Sequence, residues 1–253
     1  MTDRAERVGL HGGRALVTGA GGGFGRAVAR ALAVEGMAVV LVGRTAATLD
    51  AVAADIRAAG GSATTVVADL TTADGVDLAV GAGPVDVLIN NAASVGTIGA
   101  TARLDRADWL AGVSLNLLAA VGLTSGLLPG MLERGHGRIV AVSAGVASSP
   151  ESFPGANVYA ATKAALEAHA RNLATELVGT GVTVNIYRPG MLDTAMQERI
   201  RGSAPQDAVG RATVERFERA RASGELRSPD EAAARLVARL GGEGNGETWS
   251  VGD

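Results

Sequence analysis

Tyr159 and Lys163, four residues apart in the stretch VYAATKAAL at 158–166, are the pair whose types and spacing best suit acid–base chemistry. On a helix they lie on one face, one above the other. A phenol near pKa 10 is a poor catalyst at neutral pH, but a cation within about 4 to 6 Å favours its phenolate and pulls the value towards the working range. Of 23 basic residues Lys163 is the single lysine, set against 22 arginines. An ammonium is a compact charge that can hold hydroxyl groups and pass a proton, whereas a guanidinium stays protonated and spreads over a bulkier plane. That difference is a reason for one lysine to persist in an arginine-rich chain.

A second stretch, TGAGGGFGRAVARAL at 18–32, follows the apolar run RALVTG and opens a helical pattern. Glycines permit a tight turn and let backbone amides approach a pyrophosphate at the positive end of the helix. Thr18 is followed by Gly19, Gly23 and Gly25, with Phe24 between the last two. At the end of the next apolar run an NAD site places a carboxylate to accept from the ribose 2′-hydroxyl, but this chain has Gly43 and then Arg44. A guanidinium can bind a 2′-phosphate bidentately, so NADP(H) is favoured over NAD(H).

With these residues in place, the TGxxxGxG spacing resembles the short-chain dehydrogenase/reductase family. Further motifs follow in that family's order over about residues 12 to 253: NNAA at 90–93 resembles NNAG, Asn116 in VSLNLL its helix asparagine, YAATK at 159–163 its YxxxK, and RPGMLDT at 188–194 its PGxxxT. The resemblance implies hydride transfer between a nicotinamide and a substrate carbon, with Tyr159 exchanging a proton with the substrate oxygen. It implies that Lys163 lowers the tyrosine's pKa and anchors the ribose, and that Asn116 places a water linking the lysine to solvent. Cofactor contacts are implied for Thr18, Gly19, Gly23, Phe24, Gly25, Arg44, Asn91 and Ala92. Asp69 and Leu70 would lie beside the adenine, and Pro189, Gly190 and Thr194 at the nicotinamide end, with Thr194 holding its carboxamide. Arg44, Asp69, Asn116 and Thr194 also have structural readings, as a solvent-facing helix residue, a turn cap, a helix-kinking polar group and a helix cap.

One position departs from the family pattern. The second of two small residues after GRIV is its substrate-steadying serine, and here that residue is Ala144, one place after Ser143. Successive strand residues face opposite sides, so the offset could turn the Ser143 hydroxyl away from the pocket; Ser143 is still a catalytic candidate if the longer loop after it re-aims the strand end, with Ser148 or Ser149 as substitutes. Loss of one such donor costs a few kcal/mol, which lowers activity without abolishing it.

The elements that must position these groups are readable as alternating patterns. Apolar, β-branched runs at 14–19, 37–43, 63–69, 85–91, 137–143 and 182–188 read as buried parallel strands, with a last short one in ETWSVG. Helices are expected at about 24–35, 45–59, 106–133, 158–179 and 228–240. The alternation predicts an α/β fold, a single-domain Rossmann-type doubly wound parallel sheet over residues 1–253, with a flexible N-terminus at 1–11. Residues 191–227 carry arginines and glutamates at helical spacing with few apolar anchors, which fits either a substrate lid or a solvated helix pair.

Composition narrows the classes. The net charge is −3 with no charge blocks, so no nucleic-acid partner is expected. There is no cysteine, and His11, His136 and His169 are scattered, so neither thiolate chemistry nor a metal is expected. A charged start and the reading that no apolar run reaches membrane-spanning length predict a cytoplasmic protein without a membrane partner. The resemblance implies a homotetramer or homodimer through the helices at 106–133 and 158–179. The expected partner is a small alcohol or carbonyl substrate, in a pocket lined by Val95, Gly96, Ser148, Glu151, Phe153, Met191 and Met196, residues too mild to specify it. Two other functions fit the same residues: a cofactor-binding sensor or scaffold with little turnover, and a lyase or isomerase reusing the tyrosine.

Overall fold

The computed structural model describes residues 10–252. Most of the expected flexible N-terminus, residues 1–9, lies outside the described residues; Leu10 is buried and begins a turn. Seven strands follow among the described residues: β1 (Arg14–Thr18), β2 (Ala38–Gly43), β3 (Ser62–Val67), β4 (Val87–Asn90), β5 (Gly137–Val142), β6 (Val182–Arg188) and β7 (Thr248–Ser250). They form one sheet in the order β3-β2-β1-β4-β5-β6-β7, every pairing parallel. Residues in the central strands are buried on both faces, which is why they read as continuous apolar runs instead of alternating ones.

Helices cover both faces. On one side α1 (Gly23–Val34), α2 (Ala46–Ala58) and α9 (Pro229–Arg239) enclose a core that includes Val28, Leu32, Leu49 and Leu236. On the other, α3 (Ala73–Val80), α5 (Ala119–Arg134) and α6 (Asn157–Glu176) enclose one with Leu16, Leu88, Leu123 and Leu166. Chain order reverses between β1 and β4, the neighbours whose C-terminal ends open a crevice. A third apolar cluster, containing Val95, Val146, Phe153, Tyr159, Ile200 and Phe217, sits beyond those strand ends.

Three elements differ from the sequence reading. Helix α3 was not expected; only Gly75 and Ala79 along it are buried, and Thr72 caps it by accepting from Gly75 N at 3.1 Å. The helix expected at 106–133 is α4 (Arg106–Val113) and α5 joined by a π-helical turn over Ser114–Leu118, with Asn116 inside it. By length and composition the stretch Arg106–Arg134 is apolar enough to cross a membrane, an 18-residue window within it having mean hydropathy 1.6, so the reading that no run reaches that length is corrected. Its buried residues Ala119, Leu123, Leu127 and Met131 pack on the sheet. Finally, residues 191–227 do form a helix pair, α7 (Ala195–Arg201) and α8 (Ala208–Ala222), but where few apolar anchors were expected it is held by buried Ile200, Val214, Phe217 and Ala220. The base of this segment is closed: Arg227 N donates to Met191 O at 2.9 Å and Asp193 N to Arg227 O at 3.1 Å.

Candidate active site

The glycine turn joins β1 to α1 and lies against the end of β4. Gly19 has a φ of 65°, and a Cβ there would come within 3.0 Å of the Asn91 amide nitrogen and 3.1 Å of the Ala92 Cα. At Gly25 a Cβ would collide with the Gly19 carbonyl, so only glycine lets the turn close this tightly. The strand ends are stitched together through Thr18, whose hydroxyl accepts from Asn91 N and Ala92 N, each at 2.9 Å, while Asn91 Nδ2 donates to Thr18 O at 2.8 Å. Helix α1 starts without a side-chain cap and without an acidic residue in its first turn, leaving its amides to an external anion. Gly22, its N-cap, has open space where a side chain would be.

Tyr159 and Lys163 occupy successive turns of α6, both buried, with the Lys163 ammonium 5.8 Å from the centre of the phenol ring. Lys163 Nζ donates to Val142 O at 2.6 Å. Burial drives the lysine down to about 8, opposed by the negative charge of Glu167 one turn further on. Burial also pushes the Tyr159 phenol up to about 12. The pull towards neutrality expected from the lysine is therefore outweighed by desolvation among the protein's own groups, and the phenol stays protonated at neutral pH. Asn116 is 1% exposed and fully engaged: its Oδ1 accepts from Ser94 N at 2.8 Å, and its Nδ2 donates to Ser94 O at 2.9 Å and Thr162 Oγ1 at 3.0 Å.

At the end of β5 the side chains divide as strand alternation requires. Ser143 is buried and its hydroxyl lies near the Glu167 carboxylate, helping to keep that group acidic without reaching full hydrogen-bond geometry. Ala144 instead packs on the cluster that holds Tyr159. Phe153 meets the Tyr159 ring edge-on at 6.3 Å and the Phe217 ring at 4.7 Å, closing the apolar wall.

A cavity of about 670 Å³ runs through all of this, bordered by Gly19, Gly23, Phe24 and Gly25 at one end and by Tyr159 and Lys163 in the middle. Residues 14–204 match the family described as short chain dehydrogenase. The chain belongs to that family. It is an oxidoreductase by the same kinship. A ketoacyl reductase of Nostoc sp. is 38% identical over 203 residues, 78% of this chain and 70% of its own length. The crystal structure of L-sorbose reductase from Gluconobacter frateurii complexed with NADPH and L-sorbose has a TM-score of 0.84 at 29% identity, covering 96% of each chain. That of 3-ketoacyl-(acyl-carrier-protein) reductase from Brucella melitensis complexed with NADH has a TM-score of 0.81 at 28% identity, covering 96% of this chain and 98% of that one.

In this dehydrogenase the cavity also gathers Arg44, Asn91, Ala92, Ser143, Pro189, Gly190 and Thr194. Thr18, Asn116, Asp69 and Leu70 do not border it. Thr18, Leu70 and Asn116 lie in a small neighbouring gap behind the wall, and Asp69 is exposed, its carboxyl held below the usual range chiefly by Thr71 N and hydroxyl, with Arg44 contributing. Of the expected substrate contacts, Val95, Phe153, Met191 and Met196 line the cavity, and Gly96, Ser148 and Glu151 do not. Sequence reading missed Ser152, Arg199, Arg216 and Phe217, which do. It also missed Glu167, whose position one turn past Lys163 was the available signal.

Proposed function

We propose that this dehydrogenase interconverts an alcohol and a ketone or aldehyde with NADP(H), Tyr159 serving as acid and base. The observation that carries the reading is that the Tyr159–Lys163 pair and the uncapped, glycine-lined start of α1 face one cavity. A dinucleotide suits that cradle: the amides of α1 meet a pyrophosphate, and Pro189, Gly190 and Thr194, which border the same cavity, are offered to the carboxamide. When bound, the nicotinamide supplies or accepts the hydride. Solved relatives carry NADPH in one case and NADH in another. The choice here rests on Arg44, which borders the cavity beside Gly43 and offers a guanidinium to a 2′-phosphate.

In the reducing direction Tyr159, protonated at neutral pH, donates its proton to the carbonyl oxygen. In the oxidising direction it must first lose that proton, a step favoured by a charged Lys163 below its ring. Asn116 holds the π-helical turn in register through Ser94 and Thr162, and the relay water implied by the family is assigned to this corner. Asp69 is placed near the adenine side through its proximity to Arg44.

One observation favours a second reading. Ala144 stands on the Tyr159 cluster, and Ser143, though it borders the cavity, has its hydroxyl close to Glu167, which weakens its claim to steady a substrate oxygen. Ser152 also borders the cavity, from the next loop, and is a candidate substitute. A binding protein with little turnover shares this geometry. Following NADPH absorbance across a panel of ketones and aldehydes separates the cases. Steady oxidation that disappears in Tyr159→Phe supports the dehydrogenase reading. Tight NADPH binding without turnover supports the binding protein, and product without net cofactor change a lyase or isomerase. We also assign Leu110, Leu118 and Leu132, each at least 40% exposed along 106–134, to contact with further copies of the chain in a dimer or tetramer.

A further inference from the structure

The large cavity has no aspartate or glutamate in its lining, but it has four cations: Arg44, Lys163, Arg199 and Arg216. The proposed function uses Arg44 for the 2′-phosphate and Lys163 beneath the tyrosine. Arg199 on α7 and Arg216 on α8 are left over. Both are exposed, and neither takes an ion pair or hydrogen bond among the described residues, although Glu215 next to Arg216 pairs with Arg219 instead, at 3.9 Å. A cleft lined by one sign of charge concentrates ligands of the other.

The position of Arg199 separates it from the dinucleotide cradle. It also borders a second cavity of about 480 Å³, walled by Ser94–Gly99 and Ser203–Asp207, to which no residue of the glycine turn contributes. The two cavities share Val95, Met196, Arg199 and Ile200. The other guanidinium of the second cavity, Arg103, is paired with Asp207 at 3.7 Å, so Arg199 is the unpaired charge where the two spaces meet. On the other side of the shared wall stand Phe217, Phe153 and Tyr159.

Resting on the reductase reading above, we infer that the substrate is an anionic carbonyl compound, a keto carboxylate or a like-charged analogue, whose carbonyl reaches Tyr159 while its charged end is held by Arg199 and Arg216. Planar guanidinium groups suit a carboxylate held by two parallel hydrogen bonds.

The test compares straight-chain 3-oxo and 5-oxo carboxylates with their methyl esters, in NADPH-dependent turnover and alongside NADPH affinity measured by fluorescence. The expected result is a kcat/KM at least about tenfold higher for the acid than for its ester, an advantage carried by KM. In Arg199→Gln and Arg216→Gln the gap shrinks, Arg199→Lys keeps part of it, and NADPH affinity stays unchanged. Equal or better use of the esters overturns the inference and leaves the reductase reading intact. Weakened NADPH binding in the variants with the acid preference preserved also overturns it, because the arginines then hold cofactor phosphate. If nothing turns over here or across the panel of ketones and aldehydes above, the reductase reading fails. Calorimetric titration of the same acids into NADP+-saturated protein then decides the anion site alone: binding lost in Arg199→Gln supports it, and no binding to the unmutated protein overturns it.

Discussion

The Glu167 carboxylate accepts from Arg188 Nε at 2.8 Å and from Arg188 Nη2 at 2.7 Å, bridging α6 to β6 one helical turn past Lys163. Arg171 adds a third contact at 2.7 Å, and the Glu167 side chain is 3% exposed. Burial alone would raise this carboxyl; the Arg188 bonds lead the opposing effects, with Ser143 and Arg171, and the net result lies below its ordinary 4.5. Glu167→Gln leaves Arg188 facing a neutral amide. The expected loss in urea unfolding is about 2 to 3 kcal/mol, at or below the low end for broken buried pairs because Arg188 keeps 20% of its side chain in water. A group with a depressed folded pKa stabilises above its unfolded value and loses that contribution as pH falls through the folded one. The two proteins should therefore converge in stability below pH 4.5.

Alkaline titration offers a cleaner reading than usual, because Lys163 is the only lysine in the chain. The folded ammonium titrates near 8 and the unfolded one near 10.5, so between those values the unfolded chain binds more protons and stability rises with pH, by about 3 kcal/mol. Above pH 10 the sign reverses. Tyr159 and Tyr187 are both pushed up by burial to about 12, and the unfolded chain releases their protons first. Denaturant unfolding from pH 7 to 12 should give a maximum near pH 10, and Lys163→Met should flatten the rise without removing the fall.

Restoring a hydroxyl at Ala144 tests the division of side chains at the end of β5. Because Ala144 packs with Tyr159, Ala144→Ser presents an added donor to the substrate oxygen. The expected gain in kcat is about 100-fold with little change in KM, the scale of one oxyanion donor. Ser143→Ala should change kcat less than this, since its hydroxyl, though in the cavity wall, lies close to Glu167.

The proposed cofactor choice is tested at Arg44. Arg44→Ala should weaken NADPH binding by about 10- to 100-fold, the worth of one or two charge-assisted hydrogen bonds, and leave NADH binding nearly unchanged. Equal affinity of the unmutated protein for the two cofactors would remove the basis of the NADP(H) assignment.

The sheet was legible because its strands are buried on both sides, and continuous Val, Ile and Leu runs announce that burial whatever the neighbours are. Helix α3 escaped notice because two small residues, Gly75 and Ala79, make up its buried face. Helix α8 was legible as half of a helix pair, but its anchors were not: Val214, Phe217 and Ala220 keep helical spacing while the arginines and glutamates between them dominate the local pattern. The glycine turn and the Tyr159–Lys163 pair were legible since each is local in sequence. Glu167 with Arg188 was not, because the two are 21 positions apart and meet only once α6 packs against β6. The same holds for Arg199 and Arg216, whose shared cavity depends on how two helices fold back over the strand ends.

The closed base of the 191–227 segment has an evolutionary consequence. Met191 and Arg227 meet, and Leu192 and Arg227 form a bridge, so the chain leaves and rejoins the sheet region at nearly one point. Helices between those residues can be lengthened, shortened or exchanged for another protein's without moving Pro189 on one side or Ser228 on the other. Exchange confined to α7 and α8 would thus vary what those helices recognise, while Thr194 at the head of the segment, packed beside Gly23, stays with the glycine turn.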